Sequence, residues 1–231
     1  MRTLGLCLLA TLSLGACTTG ISNSMLTSHA NKMITQYPIE RALINIYSKP
    51  SNYTSYLVDD QLQLAVQVVT LPLGTVTFDG KPVHASRITS TIYIDNHNVN
   101  TSIEDNYYSF DPLVFHGFSG AERYSITSQT QSVPKVATVG DFSTFLTENV
   151  YTDSSLNKKI GTYLKAWSLS KATNNSAWLC ISRSANILVA TDAGTPVDCY
   201  VINPHGKVLD NRVEYTYPTD KGLRQDVYVK R

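Results

Sequence analysis

Gln61-Leu62-Gln63-Leu64-Ala65-Val66-Gln67-Val68 is the stretch that decides the fold class. Leu62, Leu64, Val66 and Val68 alternate with Gln61, Gln63, Ala65 and Gln67. A repeat of two is the side-chain period of a strand with one buried face; a helix would instead set apolar residues at i, i+3 and i+4. Moving outward, Pro72 and Gly74 interrupt the run, residues 75–78 resume it, and Asp79-Gly80 marks a tight turn. The same alternation returns in 85–95, where Ile88, Ser90, Ile92 and Ile94 face one way and Arg87, Thr89, Thr91 and Tyr93 the other. Asp95-Asn96-His97-Asn98 closes that strand with turn-forming residues. Residues 99–108 then read as its partner.

Further on, 142–151 reads as a strand. Residues 159–170 and 177–183 read as hairpin arms across 171–175. Residues 187–191, 197–202, 212–217 and 223–230 read as four more strands, separated by turns rich in Asn, Asp, Gly and Pro. Residues 111–140 carry Pro112, Gly117, Gly120, Pro134 and Gly140 and predict a long loop region with one or two short strands. Many short strands without helical crossovers predict an antiparallel β-sandwich or barrel. One exception lies after Pro38, where Ile39, Leu43 and Ile46 fit a short helix with proline at its first turn, although the stretch also fits a strand.

The N-terminus has a different grammar. Arg2 precedes an apolar stretch, residues 4–14, that is too short to span a membrane, and Leu14-Gly15-Ala16-Cys17 closes it. This tetrad resembles the lipobox of bacterial lipoproteins. The resemblance implies cleavage after residues 1–16, a diacylglyceryl group on the Cys17 sulfur, and palmitate or a similar acyl chain on the new amine. It also implies a firm membrane anchor, because two or more chains hold where one is marginal. Thr18, rather than Asp, follows the cysteine, and among Gram-negative lipoproteins that favours the outer membrane. Residues 17–36 are polar and small and predict a lipidated tether, with a short helix possible around 25–34. Residues 37–231 predict a single β-rich domain.

Charged residues make up 16% of the 231-residue chain and the net charge is +1, so composition gives no reason to expect a nucleic-acid partner. Of the four cysteines, Cys7 leaves with the signal peptide and Cys17 is consumed by lipid. Cys180 and Cys199 remain in an oxidising compartment, which predicts a disulfide.

Candidate chemistry is sparse. Gly117-Phe118-Ser119-Gly120 approximates a nucleophile elbow, but Ala121 replaces the final glycine and no helix follows. Asp95, His97, Glu104, Asp105 and His116 form a loose group whose spacing matches no metal site, so neither metal nor cofactor is expected. Tyr107, Tyr108, Phe110, Phe115 and Phe118 form the densest aromatic stretch. They fit either a ligand surface or the core of a β domain. Trp167 and Trp178 read as core. The expected function is a non-enzymatic binding or structural role in the envelope, with an unidentified envelope protein or glycan as partner. The alternatives are a hydrolase of peptidoglycan or glycan and a carrier of lipid or another small ligand.

Overall fold

The structure, a computed structural model, describes residues 33–58, 63–184, 186 and 195–230. The expected signal peptide, Cys17, the greater part of the tether and the expected strand 187–191 lie outside the described residues.

Twelve antiparallel strands close into a barrel. Its first half in sequence is β2 (Ser51–Leu57), β3 (Leu64–Phe78), β4 (Lys81–Ile94), β5 (His97–Ser109), β6 (Val114–Gly120) and β7 (Tyr124–Gln129). The second half is β9 (Phe142–Tyr151), β10 (Lys159–Lys171), β11 (Ala177–Arg183), β12 (Thr195–Ile202), β13 (Val208–Thr219) and β14 (Gly222–Val229). Sequence neighbours pair, with β7 beside β9; β9 with β10 completes the second half, and β14 with β2 closes the ring. Among the described residues that last seam is the shortest, with Leu57 opposite Tyr228, Tyr56 opposite Val229, and the Val58 amide donating to the Val227 carbonyl at 3.0 Å. A two-stranded sheet, β1 (Gln36–Tyr37) with β8 (Ala137–Thr138), lies outside the ring.

The architecture is thus the barrel of the two expected forms. Alternation sets its faces: Leu64, Val66 and Val68 of β3 and Ile88, Ser90 and Ile92 of β4 point inward. Their neighbours point out, where Tyr93 donates to Gln67 and Arg87 pairs with Asp105 at 2.8 Å. The hairpin turns sit where two residues with positive φ are needed, at Asp79-Gly80 (φ 47°, 71°) and Asp95-Asn96 (φ 48°, 64°).

Three expectations change. Pro72 and Gly74 do not end the strand; β3 runs through them with a bulge, which absorbs one residue and lets the ladder resume. The expected loop 111–140 contains β6, β7 and β8, because Gly117 lets two backbones meet. A Cβ on Gly117 would lie 2.0 Å from the Ser125 carbonyl oxygen. The end of the expected tether is pinned: the Ile34 amide donates to Asn174 (2.9 Å), the Val139 amide to Thr35 (2.8 Å), and Gln36 pairs with Thr138.

One end of the barrel is plugged by α1 (Ile39–Ser48), the helix expected after Pro38. Ile39, Ala42 and Leu43 are buried and Ile46 packs behind them, an i, i+3, i+4, i+7 stripe. They meet Phe145, Leu146, Trp167, Leu169, Leu179 and Ile202 of the surrounding strands. The helix stops because Lys49 precedes Pro50 and is forced extended (φ −110°, ψ 141°). Its seat depends on Gly206 (φ 73°), where a Cβ would stand 3.2 Å from the Ala42 nitrogen, and whose carbonyl accepts from Asn45 at 2.9 Å. A smaller apolar cluster of Leu57, Val213 and Tyr228, backed by Leu64 and Val66, packs elsewhere in the interior.

Candidate functional site

An eight-stranded barrel is just wide enough for side chains to fill, and twelve strands leave room. Here the room is a cavity of about 760 Å³, bordered by Ile46 and Tyr47 of α1 and by Leu64, Val66, Val213 and Tyr228 of the smaller cluster. Its two walls differ. Leu64, Val66, Val68, Ile88 and Ile92 of β3 and β4 make one side apolar. In the strand order β3 and β4 stand opposite β10 and β11 around the ring, and from that direction come Lys165, Asp198, Tyr200 and Pro196. A second hollow of about 460 Å³, between the start of β2 and the start of β13, shares Ile46, Tyr53, Thr70 and Tyr200 with the cavity.

Charge concentrates on the polar wall. Glu148 of β9 is 1% exposed and meets Lys165 Nζ at 2.8 Å through one oxygen and the Arg183 guanidinium at 2.8 Å through the other. Burial alone would raise the Glu148 pKa; the two cations outweigh it and hold the carboxyl below its ordinary range. Lys165 mirrors this, since burial opposes its charge while Glu148 holds its pKa above the usual lysine value. Arg183 also lies over the Tyr163 ring, 3.6 Å from its centre. These are three strands' worth of charge locked into one unit.

Asp198 of β12 is different. It borders the cavity from deep inside the barrel, and burial pushes its carboxyl up to about 6, with Lys165 offsetting only part of the shift. Among the described residues, no hydrogen bond or ion pair within 4 Å engages its side chain. Around it stand Tyr47, Tyr53, Tyr200 and Tyr215, whose phenols are pushed up by burial first and by the Asp198 charge in addition. The Tyr53 and Tyr200 phenols also act on each other's pKa. Nearer the other barrel end, Glu104 pairs with Arg123 at 2.6 Å, and Asp226 accepts from Tyr217 at 2.7 Å and pairs with Arg224.

The residues singled out from sequence do not gather here. Tyr108 and Phe118 are buried, Phe110 and Phe115 pack against the main core, and Tyr107 stacks on Phe78 with ring centres 4.0 Å apart. The five therefore form no shared exposed surface: alternation along β5 and β6 sends them to different faces. Ser119 lies within strand β6, hydrogen-bonded to the Tyr107 hydroxyl at 2.7 Å. Asp95 and His97 sit at the β4–β5 turn, whereas His116 reaches Ser109 (3.1 Å) at the opposite end of the barrel. Of Asp95, His97, Glu104, Asp105 and His116, the two hollows described above take only Glu104, on the rim of the cavity. Trp167 is core, but Trp178 has the opposite strand phase and lies half-buried outside, under Arg212 at 4.2 Å.

The pair Cys180 and Cys199 is bonded, with Cα atoms 4.0 Å apart. The two residues are direct register partners on adjacent strands β11 and β12, so the bond links neighbours within one sheet.

Sequence reasoning missed Glu148, Lys165, Arg183 and Asp198. A signal existed. Each charge occupies the inward phase of its strand: Glu148 between Leu146 and Val150, Lys165 two before Trp167, Arg183 two after Ile181, Asp198 two before Tyr200. A charge in the apolar phase is costly unless it is partnered or used. No protein-family model matches the chain, and comparison with curated proteins and with solved structures gives no match.

Proposed function

We propose that this chain is a lipid-anchored binding protein of the cell envelope, a carrier or receptor rather than an enzyme, whose barrel interior takes up a small amphipathic molecule. The observation that carries the reading is the cavity of about 760 Å³ with an apolar wall on β3 and β4 facing a polar wall on β10 and β12. Such a hollow, large enough for a small molecule and supplied with a few convergent polar groups, is the usual form of a ligand site. The anchor rests on Leu14-Gly15-Ala16-Cys17. The outer surface favours a tethered barrel over one that spans lipid. Arg87, Asp105, Arg212 and Glu214 face outward, where a lipid-spanning barrel carries an apolar band.

The test has two parts. Native mass spectrometry of protein taken from its own envelope fraction should show an added small-molecule mass that is lost on denaturation; a bare polypeptide mass, with no small amphiphile bound on titration, would refute the cavity reading. Labelled palmitate should enter the wild-type chain and not Cys17→Ser; equal labelling of both would refute the anchor.

A further inference from the structure

We propose that the ligand of the barrel cavity carries an organic cation, such as a substituted ammonium group, seated on Asp198 within the ring of Tyr47, Tyr53, Tyr200 and Tyr215. The inference rests on the cavity reading and narrows it to a ligand class.

The argument begins with what each charge already has. Lys165 and Arg183 are both held by Glu148 at 2.8 Å, and Arg183 is further stacked on Tyr163. Those cations are spoken for. Glu104 has Arg123 and Asp226 has Arg224, so the other carboxylates along the cavity have direct partners too. Asp198 is the carboxylate on this wall with cavity space before it and, among the described residues, no direct partner. A half-buried carboxylate without a hydrogen bond is costly, and a bound cation would remove part of that cost. The tyrosines supply the rest. Aromatic faces attract ammonium groups through their quadrupole, more strongly where water is excluded, and Tyr hydroxyls hold the rim. The tail of the ligand then has the Leu64, Val66, Val68, Ile88 and Ile92 wall to lie on.

The competing chemistry is an anionic amphiphile drawn to Lys165. It would have to take Lys165 from Glu148 while sitting beside the ionised Asp198, and both oppose it.

The experiment uses the chain from residue 17 onward with Cys17→Ser, which keeps it free of lipid, and three probes with one tail: octyltrimethylammonium, octanoate and octanol, each titrated calorimetrically. Octyltrimethylammonium should bind about tenfold or more tighter than octanol, its attraction to the carboxylate and the tyrosine faces being the difference. Asp198→Asn should remove that advantage and leave octanol unchanged. The advantage should also grow as pH rises through about 6, where Asp198 loses its proton while Lys165 and Glu148 keep their charges and the four tyrosines stay neutral. Octanoate binding tightest, or an ammonium affinity equal to that of octanol and indifferent to Asp198→Asn, overturns the cation proposal and leaves the cavity reading standing. Failure of all three probes to bind overturns both.

Discussion

Replacing Asp198 by Asn should make the protein more stable at neutral pH. The carboxyl is pushed up to about 6 from an ordinary value of 3.8, a rise of about two units, because burial penalises its ionised form. Each unit corresponds to about 1.4 kcal/mol, so ionising Asp198 in the folded protein costs at most about 3 kcal/mol. The side chain borders a cavity that admits water, which lowers the figure to about 1–3 kcal/mol. The sign follows from proton linkage. Between pH of about 4 and about 6 the folded state holds a proton that the unfolded state has released, so stability falls as pH rises through that window and levels off above it. Asparagine has the same shape and no charge, and Asp198 makes no hydrogen bond for it to lose. The variant should therefore melt about 2–12 °C higher at pH 8, at about 2–4 °C per kcal/mol for a domain of this size, and the gain should vanish near pH 4. Calorimetric melting of both proteins across that range measures it. A variant that melts lower at pH 8, or a gain that does not change with pH, refutes the reasoning. A stabilising change at a cavity-lining position is also the signature of a residue kept for binding at some expense to the fold.

Glu148→Gln should act in the opposite direction: it strands Lys165 and Arg183 without their carboxylate and should cost about 3 kcal/mol at pH 7, read as a lower urea midpoint. The wild type should lose the same contribution on acidification below the ordinary carboxylate range, since the Glu148 pKa is depressed, and a Glu148→Gln midpoint equal to wild type at pH 7 would contradict this. The joint variant Glu148→Gln with Lys165→Met should cost less than the two single changes added, because removing the stranded cation removes part of the penalty; strict additivity in a double-mutant cycle would argue against the cluster acting as a unit. Removing the disulfide with Cys180→Ala and Cys199→Ala, which are 19 residues apart, should cost about 3 kcal/mol, and reductant should bring the wild type down by a similar amount; an unchanged melting temperature in both experiments would show that the bond adds no stability.

Much of the barrel was legible in the chain itself. The period-two runs at Leu64–Val68 and Ile88–Ile92 fixed the strands and which side chains face in, because alternation is a property of a single strand and needs no neighbour. Asp79-Gly80 and Asp95-Asn96 marked two hairpins for a local reason too, their tolerance of positive φ. Pro38 and the Ile39, Leu43, Ile46 spacing marked the one helix of the described residues. The pairing of Cys180 with Cys199 followed from counting. In 111–140 local reading failed, because Gly117 and the prolines looked like loop residues, and only the close approach of β6 to β7 explains that glycine.

The site was a matter for tertiary structure alone. How many strands close the ring depends on register between strands far apart in sequence, and twelve rather than eight is what opens a cavity. Glu148, Lys165, Arg183 and Asp198 come from β9, β10, β11 and β12, each a lone charge in its own strand. Side by side they divide into three groups that satisfy one another and one that does not. That difference rests on distances of a few ångströms between strands, which the order of residues along any one strand does not contain.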